Sequence, residues 1–213
     1  HRFVEERDKK LAEYFNTLSI NKEELTSCDE IGVVCSGVVY QYVKEALPNA
    51  NVFKIGTVYP LPMTALKEFS KKVISECGKI DYLINNAAPA MCGITNGSYE
   101  DFEYALKVGV TAPFYLSKLF APYFASGAAI VNISSSRDRM SQPETESYTA
   151  AKGGIAALTH ALAVSFAGRV RVNSISPGWI DTDYTVYEGP DAKKQPAGRV
   201  GNPLDIVNMI ALL

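Results

Sequence analysis

The stretch AAIVNISSSRDRMSQPETESYTAAKGG, residues 128–154, contains the features that decide the fold. It opens on an apolar run that predicts a buried strand, and the serine run Ser134–Ser136 follows directly. A helical pattern begins near Glu146 and places Tyr148 four residues ahead of Lys152. A strand that is apolar throughout, followed by a helix, is typical of a parallel sheet covered on both faces.

The same alternation of strand and helix continues on either side of this stretch. Five strands are predicted, over residues 31–37, 51–58, 81–88, 128–136 and 169–178. Helices are predicted over residues 38–47, 60–80, 99–124 and 146–166 and from Pro203 onward, with Pro113 as a candidate kink and an amphipathic helix before residue 19. The pattern predicts a three-layer α/β/α fold around a parallel sheet, whose ligands bind beyond the carboxyl ends of the strands.

Composition places the chain among ordinary globular proteins. It has 213 residues, 47% of them hydrophobic, and a formal net charge of −2. This balance gives no electrostatic reason to expect a nucleic acid or a membrane as partner, and every long uncharged window is interrupted by Pro, Gly, Ser or Thr. The four cysteines form no CxxC pair, which favours free thiols in a reducing cytoplasm and no metal site. The start HRFVEERDKK contains no signal peptide, and we expect the sequence to be cut at both ends.

Tyr148 and Lys152 are suited to moving a proton. Residues four apart on a helix share a face, so the phenol and the ammonium group can approach one ligand. A phenol titrates near about pH 10, but a close cation stabilises its phenolate. A neighbouring serine hydroxyl can polarise a carbonyl oxygen on which negative charge develops. Each part alone has an ordinary structural explanation: a YxxxK pair is usually a solvated helix face, and a serine run often only leads into a helix.

Several motifs in order resemble the short-chain dehydrogenase/reductase family. They are GKIDYLINNAA, the serine strand with Ser135 thirteen residues before Tyr148, the YxxxK helix, VRVNSISPGWIDT and GRVGNPLDIVNMIALL. The resemblance runs from about Ile74 to the last residue. It implies a Rossmann-like fold and an oxidoreductase that interconverts an alcohol and a ketone with NAD or NADP. It also implies a small-molecule alcohol or carbonyl substrate and a homo-dimer or tetramer.

The resemblance also implies residue roles. Tyr148 is the general acid/base, Lys152 lowers the pKa of Tyr148 and holds the nicotinamide ribose, and Ser135 polarises the substrate carbonyl. The implied cofactor-binding residues, beside the adenosine and around the nicotinamide, are Asn85, Ala87, Lys152, Pro177, Gly178 and Thr182. Arg137, Asp138 and Arg139 either recognise an anionic substrate group or form a solvated, mutually paired loop. The loop DTDYTVYEGP is expected to cover the substrate, and His160 to lie at the surface or an interface.

The chain departs from the family pattern at three places. The helix position that often holds an Asn is Gly109, which leaves the proton relay of the family in doubt. The glycine turn that receives a pyrophosphate is missing, since CSGVVYQ has one glycine and then bulky side chains from Val38 to Tyr40. The glycine-rich C-terminal segment of the family is absent too. We therefore expect this chain to bind a nicotinamide dinucleotide weakly and its sheet to be shorter than in the intact family.

The first part of the chain resembles another protein family. Residues from about 11 to 73 resemble a segment of the alpha subunit of indolepyruvate ferredoxin oxidoreductase, without a thiamine-diphosphate motif or a cysteine cluster. This favours a chimera with a seam near Lys71–Cys77, in which residues 1–73 and 74–213 pack as one domain. The alternatives are a divergent dehydrogenase, a non-catalytic α/β domain, and a fragment of a 2-oxoacid:ferredoxin oxidoreductase.

Overall fold

The computed structural model describes residues 63–182 and 189–213 without a break. Before them it describes residues 6, 10–11, 13–14, 17–19, 22–24, 32–36, 44 and 48–55. In chain order the elements are β1 (Lys22–Glu24), β2 (Gly32–Ser36), β3 (Asn51–Ile55), α1 (Met63–Cys77), β4 (Ile80–Asn85), α2 (Tyr99–Leu106), a π-helical turn (Lys107–Thr111), α3 (Ala112–Phe120), a 3-10 turn (Ala121–Tyr123), β5 (Phe124–Ile133), a 3-10 turn (Ser136–Asp138), α4 (Glu146–Ser165), β6 (Val170–Ile175), α5 (Pro190–Lys193) and α6 (Pro203–Leu212).

The chain packs as two compact units. The first unit lies within His1–Ile80 and Lys118–Phe124, and the second lies within Asp81–Ser117 and Ala125–Leu213. The first unit contains a three-stranded sheet of order β1-β3-β2. Strands β2 and β3 are parallel, as expected, but β1 pairs antiparallel with β3, with Lys22 opposite Lys54. The buried side chains of this unit include Val52 of β3 and one face of α1 that carries Leu66, Phe69 and Val73. Spacings of three and four residues along α1 put these three side chains on one face.

The second unit contains a three-stranded sheet of order β4-β5-β6. Strand β5 pairs in parallel with β6, from Ala128 opposite Val170 to Ile133 opposite Ile175. The middle of β5 is buried, in keeping with its apolar sequence, and its core residues are Ala128, Ala129, Ile130 and Val131. Helices α2 and α6 begin at capping boxes, Ser98 with Asp101 and Asn202 with Asp205, in which each side chain accepts a backbone N–H of the other.

The long helix predicted over residues 99–124 is divided by the π-helical turn Lys107–Thr111. At its end the N–H of Ala112 donates to the carbonyl of Lys107, five residues back. Pro113, which follows, has no N–H for the carbonyl of Gly109, and its ring crowds that carbonyl in a regular α-helix. The wider turn relieves this conflict, so the expected irregularity is present but lies before the proline.

The other element predictions of the second half are confirmed within a few residues. The strand predicted over residues 128–136 begins earlier, at Phe124, and ends at Ile133. The described residues contain six strands, where five were predicted, because the polar stretch containing Lys22–Glu24 forms an edge strand. Most of the helix predicted over residues 38–47, together with Phe3, Phe15 and residues 183–188, lies outside the described residues. Among the described residues, no helix is both long and apolar enough to span a bilayer.

Candidate active site

Lys152 is the most constrained charged residue of the second unit. Its side chain is buried, with 3% of the residue exposed, and its Nζ donates to the carbonyl oxygen of Ile133 at 2.7 Å. The Nζ also lies 5.4 Å from the ring centroid of Tyr148, one helical turn earlier on α4. Burial lowers the pKa of Lys152 from its usual value of 10.5 to about 8. The structure therefore links the end of β5 to the predicted Tyr–Lys pair through one ammonium group.

Ser135 lies two residues beyond the end of β5. It is buried and caps the 3-10 turn Ser136–Asp138, because its Oγ accepts the backbone N–H of Arg137 at 3.2 Å. A hydroxyl has one hydrogen to donate and two acceptor lone pairs. Since the bond to Arg137 occupies an acceptor position, the hydroxyl hydrogen of Ser135 stays available for the oxygen of a ligand.

Asn85 ends β4, and its side chain is committed to a buried chain of hydrogen bonds. Its Nδ2 donates to Oδ1 of Asn132 at 2.7 Å, and Nδ2 of Asn132 donates to Oγ1 of Thr159 at 2.8 Å. The Thr159 hydroxyl donates in turn to the carbonyl of Ile155 at 2.7 Å. These hydrogen bonds connect β4, β5 and α4 within the protein, so the amide of Asn85 helps to hold together the elements that carry the site.

The loop after β4 is held on the first turn of α4, next to Tyr148. The N–H of Cys92 donates to Oγ of Ser147 at 2.8 Å, and the N–H of Ser147 donates to the carbonyl of Cys92 at 3.1 Å. The Ser147 hydroxyl also donates to the carbonyl of Ala90. Cys92 is a free thiol. Ser147, the residue before Tyr148, thus holds the segment that follows Ala87. The side chain of Ala87 is exposed.

The segment after β6 approaches the serine turn through its backbone. The N–H of Ser136 donates to the carbonyl of Pro177 at 2.8 Å. Gly178 and Thr182 are exposed, and the backbone between them is fastened where the N–H of Asp181 donates to the carbonyl of Gly201 at 2.9 Å. Pro177 is therefore next to the serine turn, whereas Gly178 and Thr182 lie on the exposed side of this loop.

The turn that follows Ser135 carries three charged residues. Asp138 accepts a hydrogen bond from the Ser176 hydroxyl at 3.1 Å, and its carboxylate lies 3.9 Å from the Arg139 guanidinium group. Arg137 donates to the carbonyl of Met140 at 3.3 Å. These contacts describe a partly paired surface turn, one of the two alternatives the sequence left open. His160 is exposed, in keeping with the predicted surface or interface position.

Gly109 lies in the π-helical turn and packs against α4. A Cβ added to Gly109 would lie 2.7 Å from the Cβ of Ala151, closer than two carbons can approach without a shift. The glycine therefore lets the π-helical turn contact the residue that precedes Lys152. An Asn at this position requires the two helices to move apart.

The chemistry of the donors suits the nicotinamide nucleoside half of a dinucleotide. An ammonium group has three N–H donors, and the Lys152 group uses one of them on Ile133, which leaves two for ribose hydroxyls. The exposed Thr182 and the backbone near Gly178 lie on the loop after β6, where the resemblance expects the nicotinamide. Residues 38–40, which stand where the resemblance expects the glycine turn for a pyrophosphate, lie outside the described residues.

Sequence reasoning missed four residues that hold the site together: Ser134, Asn132, Ser147 and Thr159. Asn132 had a visible signal, since an amide inside an otherwise apolar buried strand requires buried partners. Thr159 lies seven residues after Lys152, two helical turns along the same face. Ser134 and Ser147 gave no signal, because a serine beside a catalytic candidate looks like any loop or helix-start serine.

The second half of the chain matches a known family. A family model described as enoyl-(acyl carrier protein) reductase matches residues 63–213. An uncharacterized oxidoreductase of Thermotoga maritima is 40% identical over 162 residues, which cover 70% of this chain and 63% of that protein. A cyclohexanol dehydrogenase of Acinetobacter sp. is 32% identical over 174 residues, covering 78% of this chain and 67% of its own length.

The solved structures extend the similarity to the fold. An apo SCOR enzyme from Clostridium thermocellum has a TM-score of 0.71 and 36% sequence identity, and the match covers 85% of each chain. A blue fluorescent protein from a metagenomic library, solved with NADPH, has a TM-score of 0.72 at 24% identity, which shows a shared fold alone. The predicted Rossmann-like α/β fold is confirmed. The chain spans a little under two thirds of the length of the first curated relatives it matches.

Proposed function

The chain belongs to the short-chain dehydrogenase/reductase family, and from that premise we propose that residues 63–213 are the catalytic portion of an alcohol/ketone oxidoreductase that uses a nicotinamide dinucleotide. The observation that carries the proposal is the buried Lys152 ammonium group, held at the end of β5 and 5.4 Å from the Tyr148 ring. A buried cation beside a phenol attracts the negative charge that forms when the phenol releases its proton.

In the reductive direction, the Tyr148 phenol donates its proton to the carbonyl oxygen of the substrate. The phenolate that remains is stabilised by the Lys152 ammonium group, because the attraction between opposite charges is stronger in a buried site away from water. The pKa of Lys152, about 8, means that this support is present at neutral pH and fades as the pH rises above 8. In the oxidative direction the phenolate accepts the proton of the alcohol.

Ser135 donates its hydroxyl hydrogen to the same substrate oxygen. Its acceptor side is engaged by the Arg137 N–H, so the direction of the O–H bond is restricted before a substrate arrives. This orientation favours the developing alkoxide over the neutral carbonyl, which is the requirement for lowering the barrier.

A bound nicotinamide dinucleotide supplies the hydride. Lys152, Pro177, Gly178 and Thr182 are the residues of this chain that we assign to its nicotinamide half. Asn85 supports this region through Asn132 rather than through a free amide, and the exposed Ala87 borders the adenosine side.

The test is Tyr148→Phe, which removes the proton donor and keeps the ring. Turnover of a panel of ketones, followed by loss of the reduced dinucleotide's absorbance at millimolar cofactor, should fall by roughly two to four orders of magnitude. Tyr115→Phe, a half-buried tyrosine of α3, is the matched control and should retain activity. Equal turnover in Tyr148→Phe and the unmodified chain contradicts the mechanism.

We further propose that the dinucleotide binds weakly to this chain. A pyrophosphate needs several backbone N–H donors, and CSGVVYQ places valines and a tyrosine where glycines allow close approach. Losing several charge-assisted hydrogen bonds, each worth about 1.5–3 kcal/mol, weakens binding by orders of magnitude.

Isothermal titration with NADH and with NADPH tests this second proposal. Dissociation constants in the millimolar range support it, whereas a low-micromolar constant for either dinucleotide contradicts it. A complete lack of binding and of turnover favours the other candidate, a non-catalytic α/β domain that has lost its cofactor site.

We also propose that the part of the chain before the matched region derives from the indolepyruvate ferredoxin oxidoreductase group. The family-model match begins at residue 63, before the seam predicted near Lys71–Cys77, and leaves residues 1–62 as the part outside the match. Long-read sequencing of the source DNA across the codons for residues 63 to 77 tests this origin. A junction between two reading frames or contigs supports it, and one continuous gene contradicts it. The thiamine-diphosphate and iron content of the purified chain tests the related alternative of an active oxoacid oxidoreductase fragment.

Finally, we propose a cytoplasmic homo-dimer or tetramer in which α2, α3 and α4 form subunit contacts. These helices expose large apolar side chains, among them Phe102, Phe114 and Val164. Such exposed side chains favour association through the helices that carry them. Light scattering after size-exclusion chromatography should give a multiple of 23.2 kDa, and a monomer at micromolar concentration contradicts this assembly.

A further inference from the structure

Ser134 is one of the two residues of the serine run that sequence reasoning leaves without a role, and it is buried, with 2% exposed. Its Oγ donates to the backbone carbonyl of Lys152 at 2.9 Å. The residue before it, Ile133, accepts the Nζ of Lys152 at 2.7 Å. Two consecutive residues of one strand end therefore hold the two ends of Lys152, its main chain and its ammonium group.

The bond from Ser134 is additional to those that make the helix. In an α-helix the carbonyl of Lys152 already accepts the N–H four residues later, so a hydroxyl on the same oxygen ties the helix to the strand. Ser134 is itself anchored, because its N–H donates to the carbonyl of Ile175 at 2.7 Å. Through one residue, α4 is fastened to both β5 and β6.

A second tie between α4 and β5 lies deeper in the sheet. Asn132, two residues before Ser134 and on the same face of β5, donates to Thr159 at 2.8 Å. Thr159 is seven residues after Lys152, so the two ties lie two helical turns apart on α4. The hydrogen bond from Asn132 to Thr159 holds the second half of α4 on the sheet. The hydrogen bond from Ser134 sets the position of the first half of α4, which carries Tyr148 and Lys152.

We propose that Ser134 is a positioning residue that holds the Lys152 ammonium group against Ile133 and beside Tyr148. Its effect on turnover rests on the proposed function. The position of Lys152 in the ligand-free chain does not depend on the proposed function, and the experiment measures that position.

The pKa of Lys152 reports this position. The elements packed against α4 include β5, which carries Asn132, together with α2, the π-helical turn, the 3-10 turn after Ser135, and β6. Their charged residues are Glu100, Asp101, Glu103, Lys107, Arg137, Asp138 and Arg171. Burial is the cause of the lowered pKa of Lys152, and none of these charges contributes to it. If the helix start moves, water reaches the amine and the pKa rises.

The experiment is an NMR titration of the ligand-free chain labelled in its lysine side chains. The Lys152 signal is identified by its loss in Lys152→Met. In the unmodified chain Lys152 should titrate at about 8. In Ser134→Ala its pKa should rise toward the ordinary lysine value of about 10.4.

Ser117→Ala is the matched control. Ser117 is also buried, and its Oγ also donates to a backbone carbonyl, that of Pro113 at 2.8 Å, but it does not touch Lys152. Its removal should lower thermal stability by a similar amount and leave the pKa of Lys152 unchanged.

An unchanged Lys152 pKa in Ser134→Ala overturns the proposal, and so does an equal rise in Ser117→Ala. If Ser134→Ala does not fold, Ser134→Cys keeps the volume and offers a weaker donor. It should then give a smaller rise of the same sign, and no rise overturns the proposal. Because the titration needs neither cofactor nor substrate, inactivity of the chain does not obscure its result.

Discussion

The two sheets differ in the polar contacts that the structure describes around them. Around the first sheet these contacts include partly exposed ion pairs, such as Lys44 with Glu24 at 3.0 Å and Lys72 with Glu23, beside buried polar residues such as Asn51 and Ser70. In the second sheet they are buried, uncharged hydrogen bonds that run from Asn85 through Asn132 to Thr159. Exposed charges can exchange a partner for water at little cost, whereas a buried amide must keep its particular partner.

This difference indicates where precise chemistry can be supported. Proton transfer needs groups held within hydrogen-bond reach of each other, and only buried, fully paired contacts restrict side chains that closely. The second sheet provides such contacts at the end of β5 and on the facing side of α4.

The largest effect on stability is expected from Asn132→Ala. Asn132 is fully buried, and its removal leaves the amide of Asn85 without its acceptor and opens a cavity. The free energy of unfolding in urea should fall by roughly 3 kcal/mol. The control is Asn173→Ala, a half-buried asparagine of β6, which should cost far less. Equal losses at the two positions mean that the buried network adds nothing.

An effect of similar size on the free energy of unfolding is expected from Lys152→Met, but it appears only when the pH is changed. The folded chain releases the Lys152 proton at about pH 8, while the unfolded chain keeps it to about 10.5, so between these values the unfolded state binds more protons. Stability from this group therefore rises with pH across that window, and below pH 8 the full cost of burying the charge is present. The stability of the unmodified chain minus that of Lys152→Met should climb by roughly 3 kcal/mol from pH 8 to 10.5.

Urea unfolding of both proteins at several pH values measures this difference, in which the other lysines cancel. A difference that stays flat shows that Lys152 titrates normally in the folded chain, and the burial argument is then wrong.

Two glycines near Lys152 should respond in opposite directions. Gly109→Ala brings a Cβ to 2.7 Å from that of Ala151 and should cost about 1–3 kcal/mol, because the helices must separate. Gly153→Ala, within α4, meets nothing within 4 Å and should stabilise the chain by about 0.4–1 kcal/mol. Thermal unfolding compares them. If Gly109→Ala is as stable as Gly153→Ala, the close packing at the π-helical turn is absent.

The smallest effect is expected in the first unit, from Glu24→Gln. Glu24 pairs with Lys22 and with Lys44, whose side chains are partly exposed. Replacing its charge should change the free energy of unfolding by less than about 1 kcal/mol, and the change should shrink further in high salt. A loss as large as that of Asn132→Ala removes the contrast between the two sheets.

Much of the second half could be predicted from the sequence. Apolar runs predicted β4, β5 and β6, and helical spacing predicted α4 together with the placement of Tyr148 and Lys152 on one face. These features follow from contacts between residues a few positions apart, which local patterns record. The serine run was correctly placed at the carboxyl end of a strand for the same reason.

The irregular elements could not be predicted as closely. The edge strand Lys22–Glu24 is polar and short, and it is a strand because β3 offers it a free edge. The π-helical turn comes before Pro113 rather than at it, because the conflict falls on the carbonyl of Gly109. Both depend on a neighbour that local propensity does not represent.

By itself the sequence determined the family, the order of strands and helices in the second half, and the residue types available for proton transfer. Only the tertiary structure decided which partners hold them: Ile133 for the Lys152 ammonium group, Ser134 for the Lys152 carbonyl, and Asn132 for Asn85 and Thr159. These partners are 18 to 47 residues apart in the chain. Hydrogen bonds over such separations form only after strand and helix pack together, so burial rather than local pattern selects them.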